Sequence, residues 1–262
     1  MNEKYSAELY DSQDYRLDDL QCGFQLCQKK SDFCFGTDAV LLADFASKQI
    51  KQSAKTIDLC CGNGVIPILL HARRPDLCID GVEINAESCR LAEHNITLNN
   101  LNERIRLIHS DLCTLPKSMY ASYDAVTVNP PYIPVGKGLL SPQQQLNGAR
   151  HEIHATLNDI IRISSLLLKE KGCLCMVHRT NRTAEIFHTL READLEPKSL
   201  QFVHKNSASK SNLMLICAVK HSGSWLDVLP PLIIYEKDGT YTDELNAIYS
   251  RKEHNETDSN KE

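Results

Sequence analysis

The chain has 262 residues, a net charge of −5, 42% hydrophobic and 24% charged residues, the make-up of a soluble globular protein long enough to bury a full core. That charge excludes wholesale coating of nucleic acid and leaves room for a local basic groove. No apolar run approaches the ~20 residues of a membrane span, and residues 1–19 are polar throughout without a signal peptide, so no membrane partner and a cytoplasmic location are expected.

Eleven cysteines are scattered, several within apolar runs (Cys60, Cys61, Cys173, Cys175, Cys217). An odd count without a C-x-x-C pair argues against a disulfide framework and against zinc. No metal is expected.

In chain order, residues 1–50 read as an N-terminal extension, 51–222 as a catalytic domain and 223–250 as a C-terminal extension. Residues 251–262 are polar and charged throughout and read as a disordered tail. Residues 15–28 have irregular strand and turn character, with Gly23 as punctuation. A helix then starts at Thr37 or Asp38 and carries Ala39 through Ala46. Both polar residues suit a helix cap, and both also suit a ligand held beside a helix end.

Residues 54–61 form the first core strand, followed by Gly62-Asn63-Gly64 and a helix bearing Val65, Ile66, Ile68, Leu69 and Leu70. Glycines between a buried strand and a helix let a ligand approach the backbone and meet the helix N-terminus. A dinucleotide fingerprint needs a further glycine where Pro67 stands. The second strand, 77–84, carries Glu83 at its tip, the place of a ribose-binding carboxylate. The plain alternative is a surface carboxylate before the helix that Asn85 or Ala86 opens and that runs to about Asn99. The third strand, 104–109, leads into Ser110-Asp111-Leu112, where Asp111 either accepts from an exocyclic amine or caps the short helix that follows.

The fourth strand, 123–128, delivers Asn129-Pro130-Pro131-Tyr132. Neither proline has an N–H to donate, so the chain leaves the sheet at Asn129, on the edge where open α/β sheets bind ligands. The Asn129 amide, the Pro130 carbonyl and the Tyr132 ring suit a planar group bearing an NH2. An ordinary strand exit is the alternative.

Residues 133–148 form a loop of the length typical of lids and substrate-binding segments. Arg150 opens a helix to about Lys169, on which His151 and His154 read as solvated residues rather than metal ligands. A strand at 172–177, a helix at 183–193 and strands at 200–205 and 213–219 follow. Lys198, His204, Lys205 and Lys210 cluster around the connection of the last two strands, as a solvated face or a phosphate contact. Residues 232–235, an Asp238-Gly239 turn and a helix to Tyr249 close the chain's ordered part. No internal repeat is present.

Asp58-Leu59-Cys60-Cys61-Gly62-Asn63-Gly64, Gly81-Val82-Glu83, Ser110-Asp111 and Asn129-Pro130-Pro131-Tyr132 resemble, in order, the four main motifs of class I methyltransferases that use S-adenosylmethionine, the last in its amino-methylating form. The flanks (Gln28 through Phe45, Ala149-Arg150-His151-Glu152 and residues 233–242) are similar to those of the bacterial tRNA1(Val) adenine-N6 methyltransferases. The likeness runs from about residue 15 to 250. It implies a Rossmann-like α/β fold, a seven-stranded, mostly parallel sheet flanked by helices, with N- and C-terminal extensions. It also implies S-adenosyl-L-methionine as cofactor, a tRNA substrate and transfer to the N6 amine of an adenine, position 37 of tRNA1(Val).

Carried onto these positions, the resemblance assigns cofactor contacts to Asp58, Gly62, Gly64, Glu83, Asp111, Leu112 and Asn129, with Thr37 and Asp38 near the methionine end. Glu83 would take the ribose hydroxyls and Asp111 the adenine amine. Asn129 and Pro130 would hold the amine hydrogens of the target base, and Tyr132 would stack on it. One departure stands out. The family's usual glycine two residues after the aspartate is Cys60, small enough that the loop is expected to keep its course. The rival readings are protein-glutamine methylation, which shares Asn-Pro-Pro-Tyr, guanine-N2 methylation by a duplicated relative longer than this chain, and a non-catalytic RNA-binding module on the same fold.

Overall fold

The computed structural model describes residues 14–30, 35–130 and 155–249. Pro131, Tyr132, the 133–148 loop, His151, His154 and the 251–262 tail lie outside the described residues.

The N-terminal segment is an antiparallel hairpin of β1 (Tyr15–Asp19) and β2 (Gln25–Lys29). The main sheet is built from β3 (Lys55–Leu59), β4 (Cys78–Glu83), β5 (Ile105–His109), β6 (Tyr123–Val128), β7 (Leu168–Arg179), β8 (Leu195–His204) and β9 (Ser211–Lys220). Their spatial order is β8-β9-β7-β6-β3-β4-β5. Within it β9 runs against both of its neighbours and all other pairs are parallel. Two short strands, β10 (Asp227–Val228) and β11 (Leu232–Ile233), pair with the outer edge of β8, so the expected seven strands become nine. The additions cover an edge that would otherwise be open to pairing.

Three boundaries differ from the sequence pattern, each for a physical reason. The helix expected to open at Arg150 is described only from Leu157, after Thr156, whose side chain forms a reciprocal capping box with Asp159. Strand β7 begins at Leu168, ahead of Gly172, with a register irregularity between Tyr123 and Ala125 on its partner β6. Strand β8 begins at Leu195 because Pro197 falls at a register shift against β9, where a proline is tolerated.

Helices cover both faces. α1 (Thr37–Gln49), α2 (Val65–Arg73) and α3 (Ala86–Leu98) contribute Leu42, Leu69 and Ile96 to one buried layer, which the short α6 (Asp243–Tyr249) joins through Leu245. α4 (Leu157–Leu167) and α5 (Thr183–Glu192) contribute Ile160, Ile161, Ile186 and Leu190 to the other. Successive strand residues alternate between these layers, with Ala125 and Cys175 in the first and Val126 and Leu174 in the second. From β3 the chain steps outward through β4 and β5, then returns to the other side of β3 as β6. The resulting switch point between β3 and β6 is where such sheets open a ligand crevice.

Candidate active site

Strand register gathers the motif residues on one rim. Leu59 pairs with Val82 on β4 and with Val128 on β6, so the next row holds Cys60, Glu83 and Asn129 side by side. Glu83 itself pairs with His109 of β5, and Ser110 N–H donates to the Glu83 carbonyl at 3.0 Å. Asp111 follows on the same edge. Four strand ends thus deliver the residues that the spacing picked out.

The turn after β3 is tightly wound, with Cys60, Gly62 and Gly64 all at positive φ (58°, 55° and 83°). Cys60 stands in the left-handed region that favours glycine and costs another residue roughly 1–2 kcal/mol. Glu83 fastens the turn: Oε2 accepts from Gly62 N–H at 2.9 Å and Oε1 from Asn85 N–H at 2.8 Å. The carboxylate is 4% exposed. It is therefore no loose surface group, although about four lone-pair sites leave it able to accept two further bonds. A Cβ placed on Gly62 would meet nothing within 4 Å, whereas one on Gly64 would come to 3.3 Å from Ala92. Gly64 serves close packing on α3, and Gly62 leaves a cradle open above the loop.

The other sequence candidates fall into distinct settings. Asp58 is fully buried, and Thr127 of β6 donates to its Oδ1 at 2.5 Å across the switch point. Its Oδ2 has no hydrogen-bond partner among the described residues. Burial pushes the carboxyl up to about 8, against the pull of the Thr127 bond, with the nearby Glu83 charge adding to the rise. Asp111 accepts from Cys113 N–H at 2.8 Å and so caps the 3-10 turn Leu112–Thr114, while Leu112 is buried. Thr37 is not the helix cap: Gly36 occupies that position, and Asp38 in the first turn accepts from Ala39 N–H at 2.9 Å. Asn129 is half-buried and Pro130 buried.

Two residues outside the quoted motifs' core hold the loop in place. Asn95 of α3, wholly buried, donates to the carbonyls of Asn63 (2.9 Å) and Cys27 (3.0 Å) and accepts from Cys27 N–H (2.7 Å). Gln28 accepts from Phe35 N–H (2.9 Å) and from the Asn63 side chain (3.4 Å), and donates to Asp18. Together they tie the β1–β2 hairpin to the middle of the glycine turn. The available signal for Asn95 was an amide on the buried stripe of Cys89, Ala92 and Ile96.

The basic cluster divides. Lys198 lies six residues before the end of β8, and its Nζ donates to the Gly223 carbonyl at 3.0 Å, away from the β8–β9 connection. His204, Lys205 and Lys210 remain together around that connection. On the α1 side of the sheet the thiols of Cys173, Cys175 and Cys217 converge, with Sγ atoms within 4.8 Å of one another, all buried. All ten described cysteines are free. Among the described residues no helix is long and apolar enough to cross a membrane.

The sequence profile of the Methyltransferase small domain matches residues 27–196. The chain belongs to that family. It is 28% identical to a tRNA1(Val) (adenine(37)-N6)-methyltransferase of Aeromonas hydrophila over 82% of this chain and 88% of that protein. It is 29% identical to one of the same name from Parabacteroides distasonis, over 66% of this chain and 71% of that protein. In fold it is similar to the crystal structure of a predicted O-methyltransferase from Agrobacterium tumefaciens, with a TM-score of 0.65, 21% identity, and coverage of 81% of this chain and 95% of that one. The Rossmann-like class I fold anticipated from the motifs is the fold observed.

Proposed function

We propose that the chain transfers a methyl group from S-adenosyl-L-methionine to the exocyclic N6 amine of an adenine in tRNA, at position 37 of tRNA1(Val). The observation that carries this reading is the single row of Cys60, Glu83 and Asn129, which sets a glycine cradle, a fastened carboxylate and an amide side by side at the switch point. The relatives named above act on that nucleotide by their names.

The residues present fit the cofactor. Gly62 leaves the backbone approachable, Glu83 retains acceptor capacity for a ribose diol, and Asp111 stands on the same rim for the adenine amine. Asp58 supports the loop from within, and Thr37 and Asp38 stand at the start of α1 for the methionine end. When bound, S-adenosyl-L-methionine supplies a methyl group on a sulfonium, electrophilic without a metal. The chain's own task is then to orient the amine. An adenine amino nitrogen is a poor nucleophile because its lone pair is delocalised into the ring. The Asn129 side-chain carbonyl and the Pro130 carbonyl, both acceptors, hold its two hydrogens and favour a pyramidal nitrogen aimed at the methyl group. Tyr132 stacks on the base once it is turned out of its context. Alignment and charge stabilisation supply the rate, without a strong general base. In this reading residues 1–50 and 223–250 are additions to a catalytic domain at 51–222, and the enzyme works in the cytoplasm on tRNA.

Purified protein with labelled cofactor, offered unmodified tRNA or a release factor in parallel, tests the reading. Label in the tRNA is expected. Label in the protein substrate alone would transfer the site to glutamine, and failure to bind the cofactor at all would leave a non-catalytic fold.

A further inference from the structure

After β11 the chain folds into a small hairpin. Thr242 N–H donates to the Ile234 carbonyl at 3.1 Å, Glu236 N–H to Thr240 at 2.8 Å, and Gly239 N–H closes the turn on Glu236 at 3.1 Å. Tyr235 and Tyr241 are therefore the non-hydrogen-bonded pair between two bonded ones, the position where antiparallel side chains come closest. Their rings stack at 5.2 Å and 26°, and Tyr249 of α6 continues the stack at 6.3 Å and 11° from Tyr241. Core packing alone does not account for it, since Tyr241 is 44% exposed.

The hairpin is fixed to the rim that carries Asn129. Tyr235 N–H donates to the Lys205 carbonyl at 2.9 Å and Ile234 N–H to His204 at 3.0 Å. Lys205 and Lys210, at the two ends of the β8–β9 turn, are exposed and make no ion pair among the described residues. Of the nearby acids, Asp238 is turned into the hairpin by Thr240, which donates its N–H at 2.9 Å and its hydroxyl at 2.6 Å, and Glu236 is exposed. Register puts Gln201 in the row of Asn129. Three strand spacings across and three residues along give an offset of ~14 Å by ~10 Å to His204, a reach of a few nucleotides.

We propose that Tyr235, the outer ring of the stack and the one next to Lys205, is the platform that takes an unpaired base of the tRNA, with Tyr241 backing it from within the stack, while Lys205 and Lys210 meet the adjoining phosphates. The proposal rests on the reading of the chain as a tRNA methyltransferase. Stacked tyrosines offer any base a flat face, and exposed lysines supply the sequence-independent hold on the backbone. Gripping a loop nucleotide a few positions from the target keeps the strand in place while the target base reaches Asn129. The competing role is that of a pin holding α6 against the sheet.

The full-length chain and its Tyr235→Leu, Tyr241→Leu and Tyr241→Phe variants separate these roles. Affinity for unmodified tRNA, affinity for S-adenosylmethionine and thermal midpoint are measured on the same samples. Each leucine variant is expected to weaken tRNA binding about tenfold, the phenylalanine variant to stay within about twofold, and cofactor affinity to hold. Leucine variants that bind tRNA normally, in a wild-type background that methylates tRNA, would overturn the platform and leave the methyltransferase reading standing. A wild-type protein that methylates no tRNA would overturn both. A second readout needs no variant: 2-aminopurine placed in turn at each loop position should be quenched on binding at one position besides the target. Quenching nowhere else would overturn the platform.

Discussion

On the β3–β5 side of the rim, polar groups are spent on the chain's own backbone: Glu83 holds the Gly62 and Asn85 amides and Asp111 holds Cys113. On the β8 side they face outward, with Lys205 and Lys210 exposed beside the stacked Tyr235 and Tyr241. The first arrangement is preorganised to receive one small ligand in one pose, because the loop is already fastened before anything binds. The second offers charge and flat surface without fixed geometry, which suits a long polyanion read by shape. Asn129 stands between them just past the end of β6, where the two halves of the sheet part. In a protein of net charge −5, Lys205 and Lys210 form a local pair of exposed cations on that rim, and a local patch rather than the overall charge is what a polyanion meets.

The sharpest way to break this division is Asn129→Ala. Turnover should fall by ~10²–10³, as when a positioned hydrogen-bonding group is removed from a reacting centre, while cofactor affinity and thermal midpoint stay near wild type. Asn129→Asp should be less damaging, since a carboxylate still accepts from the amine. If the residue marks only a strand exit, both variants lose stability together and neither loses rate. Next in size, Glu83→Ala should weaken cofactor binding by roughly 1–3 kcal/mol in isothermal titration. Glu83→Gln keeps an acceptor for Gly62 or Asn85 and should fall between. Unchanged affinity in both would return Glu83 to a purely structural clasp.

Asp58 sharpens the same half through pH. Burial raises its carboxyl to about 8 in the folded chain, from about 4 in an unfolded one. The folded state therefore holds a proton that the unfolded state has released. Its stabilising contribution is complete below about pH 4 and is lost as the pH climbs through about 8. Wild-type stability should decline across that window relative to Asp58→Asn, which cannot ionise. Parallel denaturation midpoints for the two proteins would show that Asp58 is charged throughout. Smallest is the effect on the other half. Lys205→Ala with Lys210→Ala should lower the slope of log affinity for tRNA against log salt by about 0.7 per phosphate lost. Lys198→Ala, whose amine is already committed to Gly223, should leave that slope alone.

The half that binds the small ligand was the legible one. Its strands are short apolar runs ending in Gly62, Glu83, Asp111 and Asn129, so local pattern alone put the residues at strand ends and parallel pairing did the rest. What stayed hidden depends on partners distant in sequence. Asn95 acts on Cys27 and Asn63 from the buried side of a helix. Thr127 is an ordinary strand threonine until register sets it against Asp58. Lys198 looked like a neighbour of Lys205 because Pro197 masked the start of β8, and a bulge allows that proline within the strand. The tyrosine stack was visible as residues 235 and 241 but not as a pair, since only the hairpin's hydrogen-bond pattern makes them opposite.

The most direct measurement joins both halves. Unmodified tRNA is incubated with the wild-type chain and labelled S-adenosylmethionine, digested to nucleosides, and the labelled nucleoside identified and mapped. The expected product is N6-methyladenosine at a single loop position, formed ~10²–10³ times more slowly when Asn129→Ala replaces the wild type. Label in a guanosine, label spread over many positions, or unchanged transfer by a stably folded Asn129→Ala protein would contradict it.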